Sequence, residues 1–261
     1  MIITLLSDFG LHDSFVAVAK GILLQQLPEA VIVDLSHEVT PYHLLQCSYN
    51  LQTAYGYFPS LTIHLSLFDI LHHKPSDILV TRIKNQIILS SDNGLLPLTF
   101  GDQLSLVYCF KAQATQYVSW VAQAAACIKD LAQHQFSLDH LPVVDPSVST
   151  AAVKPVFSGN TVECQVMHVD RYGNVVINMH RDLFEQLSEG KKFRLNIVRD
   201  TLTQLSNDYT DVSAGNKLCL FNSSGYLEIA INQGNAAQLL GLQLHSEKNL
   251  FYQNIKIEFQ I

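Results

Sequence analysis

Residues 1–37, MIITLLSDFG LHDSFVAVAK GILLQQLPEA VIVDLSH, decide the fold. An apolar run at 2–6 ends in Ser7-Asp8-Phe9-Gly10. Residues 14–27 then carry Phe15, Val16, Val18, Ala19, Ile22 and Leu23 at helical spacing, and Pro28 stops the helix. A second short run at 30–33 ends at Asp34. Strand, helix and strand, each strand closed by an aspartate, form the repeating unit of an α/β domain with a mostly parallel sheet.

The pattern continues outward. Residues 41–58 read as a second helix, and 62–68 as a third strand ended by Asp69. Residues 77–83 and 86–89 read as a hairpin about Lys84-Asn85, followed by Asp92-Asn93-Gly94. Residues 119–134 form the last helix of this half, so residues 1–140 are assigned to an N-terminal α/β domain. Residues 141–158, with Pro142, Pro146 and Pro155, read as a linker. Strands dominate the remainder, 159–261, at 161–170, 174–178, 192–198, 217–221, 225–231 and 255–261. Two short helices, 182–187 and 235–240, interrupt them. This half is expected to be an antiparallel β-barrel or sandwich.

Composition narrows the partners. The formal charge is −7 with no Lys/Arg cluster, so no nucleic-acid partner is expected and a small cationic ligand suits the chain better. Residues 43–68 carry no charge, but Gln46, Asn50, Gln52, Gly56 and Pro59 within them argue against a membrane span. Met1 to Gly10 lacks the basic start and small-residue cleavage site of a signal peptide. Five widely spaced cysteines without a CxxC read as buried, reduced thiols in a cytoplasmic protein.

Ligands of an open parallel sheet bind outside the carboxyl ends of its strands. Asp8, Asp34, Asp69 and Asp92 are all predicted there, with Asp13 in the loop of Asp8. Each is also an ordinary cap or turn former, Asp34 most readily. A rim of acids suits a divalent metal for phosphate hydrolysis, or a ribose diol whose hydroxyls donate to a carboxylate. Haloacid-dehalogenase-type phosphatases place two aspartates two apart after the first strand. Asp8 and Asp13 are five apart, so that template fails and no metal ligands are assigned. In the second half, Asp170-Arg-Tyr172-Gly-Asn174 with Asn178 suits the zwitterionic end of an amino acid. Asn222-Ser223-Ser-Gly225, the strand Tyr226-Leu-Glu228-Ile-Ala230, and Asn232-Gln-Gly-Asn-Ala236 present backbone amides that suit a nucleobase or carboxylate. Taken singly, both are ordinary hairpin turns.

Together these segments resemble the S-adenosylmethionine hydroxide adenosyltransferases, relatives of the S-adenosylmethionine-dependent fluorinase and chlorinase. The resemblance rests on Ser7-Asp-Phe-Gly-Leu-His-Asp13, Lys20-Gly21, Ile32-Val-Asp-Leu-Ser-His37 with Thr40-Pro-Tyr42, Phe58-Pro59, Asp92-Asn-Gly-Leu-Leu96, Asp170 to Asn174 with Asn178, and Asn222 to Ala230 with Gly234-Asn-Ala-Ala237. It implies an α/β domain followed by a β domain. It also implies a homotrimer, with S-adenosylmethionine held where one subunit's N-terminal domain meets a neighbour's C-terminal domain. It implies no cofactor beyond that adenosyl ligand. Asp8 then matches the carboxylate that grips the ribose, with Phe9, Asp13 and Asn93 in the same ligand-binding segments. Tyr42 matches an aromatic packed on the ligand. Asp170, Tyr172, Asn174 and Ser223 match methionine and adenine contacts, and Glu228 and Ala230 a reader of the adenine edge.

The chain departs from this family where the reaction happens. Family hydrolases use an Asp, an Arg and a His to activate a water that attacks the ribose C5′ while methionine leaves. Asp69 matches the Asp. Ser76 stands where the Arg is expected, within Ile70-Leu-His-His-Lys-Pro-Ser-Asp77, and Ser119 where the His is expected. A carboxylate alone is a poor base at neutral pH, with an unperturbed pKa of about 4. His72 and His73, three and four residues past Asp69, are the candidate substitutes. Two readings remain open: hydrolysis of S-adenosylmethionine to adenosine and methionine, or binding of S-adenosylmethionine or adenosine without catalysis. Halide chemistry is disfavoured because no halide pocket can be read from this loop.

Overall fold

In the computed structural model the described residues are 1–149, 154–242, 244 and 255–259. They fall into two compact units, Met1–Ala151 and Ala152–Ile261.

The first unit runs β1 (Ile2–Leu6), α1 (Phe15–Gln26), β2 (Val31–Ser36), α2 (Leu44–Ala54), β3 (Ile63–Ser66), β4 (Ser76–Ile83), β5 (Gln86–Ser90), α3 (Leu95–Phe100), β6 (Val107–Ala114), α4 (Tyr117–Gln133) and β7 (Val143–Val144). Its sheet has the order β2-β1-β3-β5-β4-β6-β7. Strands β2, β1, β3 and β5 pair in parallel, while β4, β6 and β7 join through antiparallel pairs. Five of the seven strands therefore run the same way. Successive side chains of a strand face opposite sides, and this splits the core in two. Ile3, Leu5, Ile63, Leu65, Ile87 and Leu89 pack with Ala19 and Leu23 of α1 and Trp120, Val121 and Ala124 of α4. Leu6, Leu79 and Ile88 pack on the other face with Leu44, Cys47 and Leu51 of α2 and Leu95, Leu96 and Phe100 of α3.

Several sequence expectations shift here. Asp34 lies inside β2 rather than after it, because the strand continues to Ser36 and Leu5 pairs with Asp34. The helix expected at 41–58 is shorter: α2 begins at Leu44, where His43 Nδ1 accepts from Gln46 N at 3.1 Å. It gives way to a 3₁₀ turn at Tyr55–Tyr57. Strands β6 and β7 and helix α3 were not expected.

The second unit runs β8 (Val156–Ser158), β9 (Thr161–Cys164), β10 (Val166–Val169), β11 (Val175–His180), α5 (Arg181–Ser188), β12 (Phe193–Ile197), β13 (Asp200–Leu202), β14 (Lys217–Phe221), β15 (Tyr226–Ile231), α6 (Ala236–Leu240) and β16 (Ile255–Phe259). The end of the strand expected at 255–261 lies outside the described residues. Two separate antiparallel sheets form, β10-β11-β15-β14 and β13-β12-β16-β9-β8. The described residues form no closed barrel. The two sheets share one core, in which Ile177, Met179, Leu227 and Ile229 meet Val162, Leu195, Ile197, Ile255 and Ile257. The strand expected at 161–170 divides at Gln165, whose N–H donates to Asn178 Oδ1 at 2.7 Å.

Among the described residues no helix is long and apolar enough to cross a membrane. All five cysteines are free and buried. Burial pushes the Cys164 and Cys219 thiols up to about 12, which leaves them inert as nucleophiles at neutral pH.

Candidate ligand site on the carboxylate rim

Asp8 follows β1 and Asp69 follows β3, adjacent parallel strands, so both carboxylates come to the same rim. Partial burial raises the Asp8 pKa, and the negative charge of Asp69 adds to the rise. Backbone N–H groups, Tyr42 and Asp69 among them, oppose it. The Tyr42 N–H donates to Asp8 Oδ2 at 3.3 Å. Tyr42 itself has φ +62° and is 71% exposed.

Asp69 also has a left-handed backbone, φ +40°, uncommon for any residue but glycine. That turn brings the next residues back over it. His72 N–H donates to Asp69 O at 3.1 Å, and His72 Nδ1 lies 2.6 Å from Asp69 Oδ2. His73 sets its ring edge-on to His72, with centroids 4.7 Å apart. Asp69 and His72 are thus brought together, with His73 beside His72.

The two serines that the resemblance sets against the family's Arg and His are placed as follows. Ser76 is buried, donates to Ile70 O at 2.6 Å and accepts from Trp120 Nε1 at 3.1 Å. Ser119 is exposed on the first turn of α4.

Other residues of these segments make contacts of their own. Asn93 is buried; its Nδ2 donates to Phe68 O at 2.8 Å and its Oδ1 accepts from Leu95 N at 3.1 Å. Its amide therefore brackets the backbone just before Asp69. Asp92 accepts from Ser147 N at 2.8 Å and Ser147 Oγ at 2.9 Å, pinning the chain that leaves β7. Asp13 sits exposed beside His12 Nδ1 at 3.5 Å. Phe9 packs against Phe15 and edge-on against Tyr117.

A polar chain that sequence reasoning passed over supports the Asp8 loop. Ser7 Oγ and His37 Nδ1 are 2.7 Å apart, His37 Nε2 is 3.1 Å from Asp34 Oδ1, and Lys20 Nζ donates to Asp34 Oδ2 at 2.6 Å. The signal was the pair of motifs Ser-Asp-Phe-Gly and Asp-Leu-Ser-His, since β1 and β2 are neighbours.

In the second unit, Asp170 organises its own turn. Its Oδ1 accepts from Tyr172 N at 2.9 Å and Asn174 N at 2.8 Å, and its Oδ2 from Asn174 Nδ2 at 3.0 Å. Gly173, φ +83°, lets the turn close against Asn235: a Cβ there would lie 2.2 Å from Asn235 Cγ. Tyr172 is left 79% exposed at the tip. Glu228, only 4% exposed, accepts from Tyr209 Oη at 2.7 Å and Asn222 Nδ2 at 3.4 Å. Burial raises its pKa, the Tyr209 and Asn222 donors lower it, and nearby Asp170 raises it further. Tyr209, nineteen residues away in sequence, was missed as its partner. Ser223 is exposed, and Ala230 is buried in β15 opposite Leu218 of β14. Pairing with β11 stops at Ile229, one residue short of Ala230.

A mostly parallel sheet with acids on its rim, followed by separate antiparallel sheets carrying polar turns, defines the class as an α/β-plus-β protein. The chain belongs to the SAM hydroxide adenosyltransferase family: the family's N-terminal domain matches residues 3–120 and its C-terminal domain residues 164–248. It is 24% identical to (R)-S-adenosyl-L-methionine hydrolase of Methanocaldococcus jannaschii, covering 96% of each chain. It is 28% identical to the enzyme of that name from Salinispora tropica, over 92% of this chain and 94% of that one. Similarity extends to a fluorinase of an Actinoplanes species, at 22% identity over 88% and 91% of the two chains. A crystal structure of an uncharacterised conserved protein from Thermotoga maritima superposes with a TM-score of 0.78 at 26% identity, over 99% of both chains.

Proposed function

We propose that this chain binds S-adenosylmethionine and hydrolyses it to adenosine and methionine, with Asp69 and His72 activating the water. The single observation that carries the reading is the 2.6 Å contact between His72 Nδ1 and Asp69 Oδ2, on the rim that also holds Asp8. Membership of a family whose relatives are hydrolases of this substrate supports it.

The chemistry follows from the atoms. An imidazole takes and gives protons near neutral pH, and a carboxylate on Nδ1–H fixes the tautomer that leaves Nε2 as the acceptor. In this mechanism Nε2 of His72 takes a proton from water as the water oxygen bonds to the ribose C5′. The C5′–S bond breaks, and its electron pair neutralises the sulfonium as the thioether of methionine. His72 returns its proton to solvent. Asp8 accepts from the ribose hydroxyls, and Tyr42 offers its exposed ring to the ligand. His73 acts only by confining His72. The Asp170 turn, Tyr172, Asn174, Ser223, Glu228 and Ala230 belong to the methionine and adenine ends, in a second unit we read as a β-sandwich. The assembly proposed with this site is a homotrimer in which those groups come from a neighbouring copy; light scattering tests it.

The experiment is incubation with S-adenosylmethionine followed by chromatography for adenosine and methionine. Product above a heat-killed control is expected for the parent, with loss of about 10²–10⁴ in rate for His72→Ala. Saturable binding without product would leave a ligand-binding protein and overturn the hydrolytic reading.

A further inference from the structure

Far along the chain from Asp8 and Asp69, the end of α4 carries a cluster that the sequence reading assigned no role. Asp130 and His134 are four apart, so they share one helix face at its C-terminus. The chain then reverses through two consecutive left-handed residues, Gln135 at φ +52° and Phe136 at φ +60°. Backbone bonds fix this turn: Phe136 N–H donates to Leu131 O at 2.7 Å and Ser137 N–H to His134 O at 3.0 Å. Leu138 is buried and Phe136 packs on the main core, so the reversal is anchored from inside. The result lays His140 on His134, rings nearly parallel and centroids 3.9 Å apart.

From these positions we infer a binding site for a borderline divalent transition metal, such as Zn²⁺ or Ni²⁺, formed by Asp130, His134 and His140. One nitrogen of each imidazole and one oxygen of the carboxylate lie within 4.8 Å of one another. His140 Nε2 is 2.6 Å from Asp130 Oδ2 and His134 Nδ1 is 3.4 Å from Asp130 Oδ1. Bonds of about 2.0–2.1 Å in a tetrahedron put ligand atoms roughly 3.3 Å apart, so side-chain adjustment alone admits an ion. Two imidazoles and a carboxylate leave the fourth position to water, and this donor set suits Zn²⁺, Ni²⁺, Co²⁺ or Cu²⁺ rather than Mg²⁺ or Ca²⁺.

His134 Nδ1 also lies 2.9 Å from the Asp130 carbonyl oxygen, a contact that ligation through Nδ1 would replace. One further feature favours a cation here. The helix C-terminus carries the negative end of the macrodipole, which stabilises positive charge at this end. Nearby Asp139 is held by Ser137 Oγ at 2.9 Å. The site would clamp the last turn of α4 to the segment entering β7.

The test uses tag-free full-length protein, stripped of metal, titrated calorimetrically with ZnCl₂ alone and monitored by Co²⁺ absorption. The expected result is saturable binding at one ion per chain, with tetrahedral-type Co²⁺ bands. His134→Ala/His140→Ala, matched to the parent by circular dichroism, should weaken it by about 100-fold or more. In the unmodified protein, zinc should shield His134 and His140 from diethylpyrocarbonate while His12, 99% exposed, stays reactive. No saturable zinc binding in the micromolar range, affinity unchanged in the double variant, or no shielding would each overturn the inference.

Discussion

Replacing Asp8 by Asn separates binding from stability. The proposed clasp has one carboxylate accepting two ribose hydroxyl protons. Asn keeps one neutral acceptor and turns the other into a donor. Bonds to a charged acceptor contribute about 1.5–3 kcal/mol each, against about 1 for a neutral one. The variant therefore loses about 2–5 kcal/mol, or roughly one and a half to three and a half decades in Kd for S-adenosylmethionine. The free protein should respond oppositely. Burial and the Asp69 charge raise the Asp8 pKa, so the folded chain holds that proton more tightly than the unfolded chain does. Stability is accordingly lost as pH rises from the ordinary value of 3.8 through the raised one, and at pH 7 the parent carries that penalty. Asn removes it and keeps an oxygen for the Tyr42 N–H. Thermal melts at pH 7 without ligand should show a Tm equal to or above the parent's, while calorimetry shows the weakened binding. Undiminished affinity would refute the ribose clasp, and a lowered Tm in the free protein would refute the electrostatic account.

Other outcomes are open to measurement. Ser76→Arg should not create activity, because the site is buried and already bonded to Ile70 O and Trp120 Nε1; an unpaired buried charge costs about 3–5 kcal/mol, read as loss of soluble, folded protein. Tyr209→Phe removes a donor to the buried Glu228 carboxylate. Its destabilisation, about 1–3 kcal/mol, should be widest at neutral pH and narrow in urea titrations as acid protonates Glu228. Gly173→Ala should cost more than about 1 kcal/mol and lower affinity together, since φ +83° and the Asn235 side chain both oppose a Cβ; a neutral result would show the 170–174 turn to be pliable.

Much of this architecture is legible in the chain because local pattern and global fold agree. Apolar runs ended by aspartate announce β1 and β3, and they deliver Asp8 and Asp69 to one rim. Asp34 misleads because an aspartate inside an edge strand looks, in sequence, like one that follows it. Helix α3 escapes notice because six residues containing Pro97 carry no helical periodicity; Gly94 in a left-handed turn, not the pattern, starts it. The bonds that Asn93 makes to Phe68 and Leu95, and Asp92 to Ser147, join residues far apart in sequence or depend on the local turn, so no residue pattern announces them. The Asp69–His72 contact depends on a backbone angle at Asp69 that no residue type dictates. The Glu228–Tyr209 bond needs a fold to bring distant residues together.

The edge strand β2 has one more implication. Its residues are nowhere fully covered, and Val31 is 57% exposed, so its unpaired backbone offers a template on which another extended chain could add. Asp34 stands in the middle of that template, and Lys20 and His37 hold its carboxylate in place. A fixed charge half-way along an open edge discourages an incoming strand. Replacing Asp34 by valine would therefore endanger the chain's colloidal behaviour before it touched any chemistry.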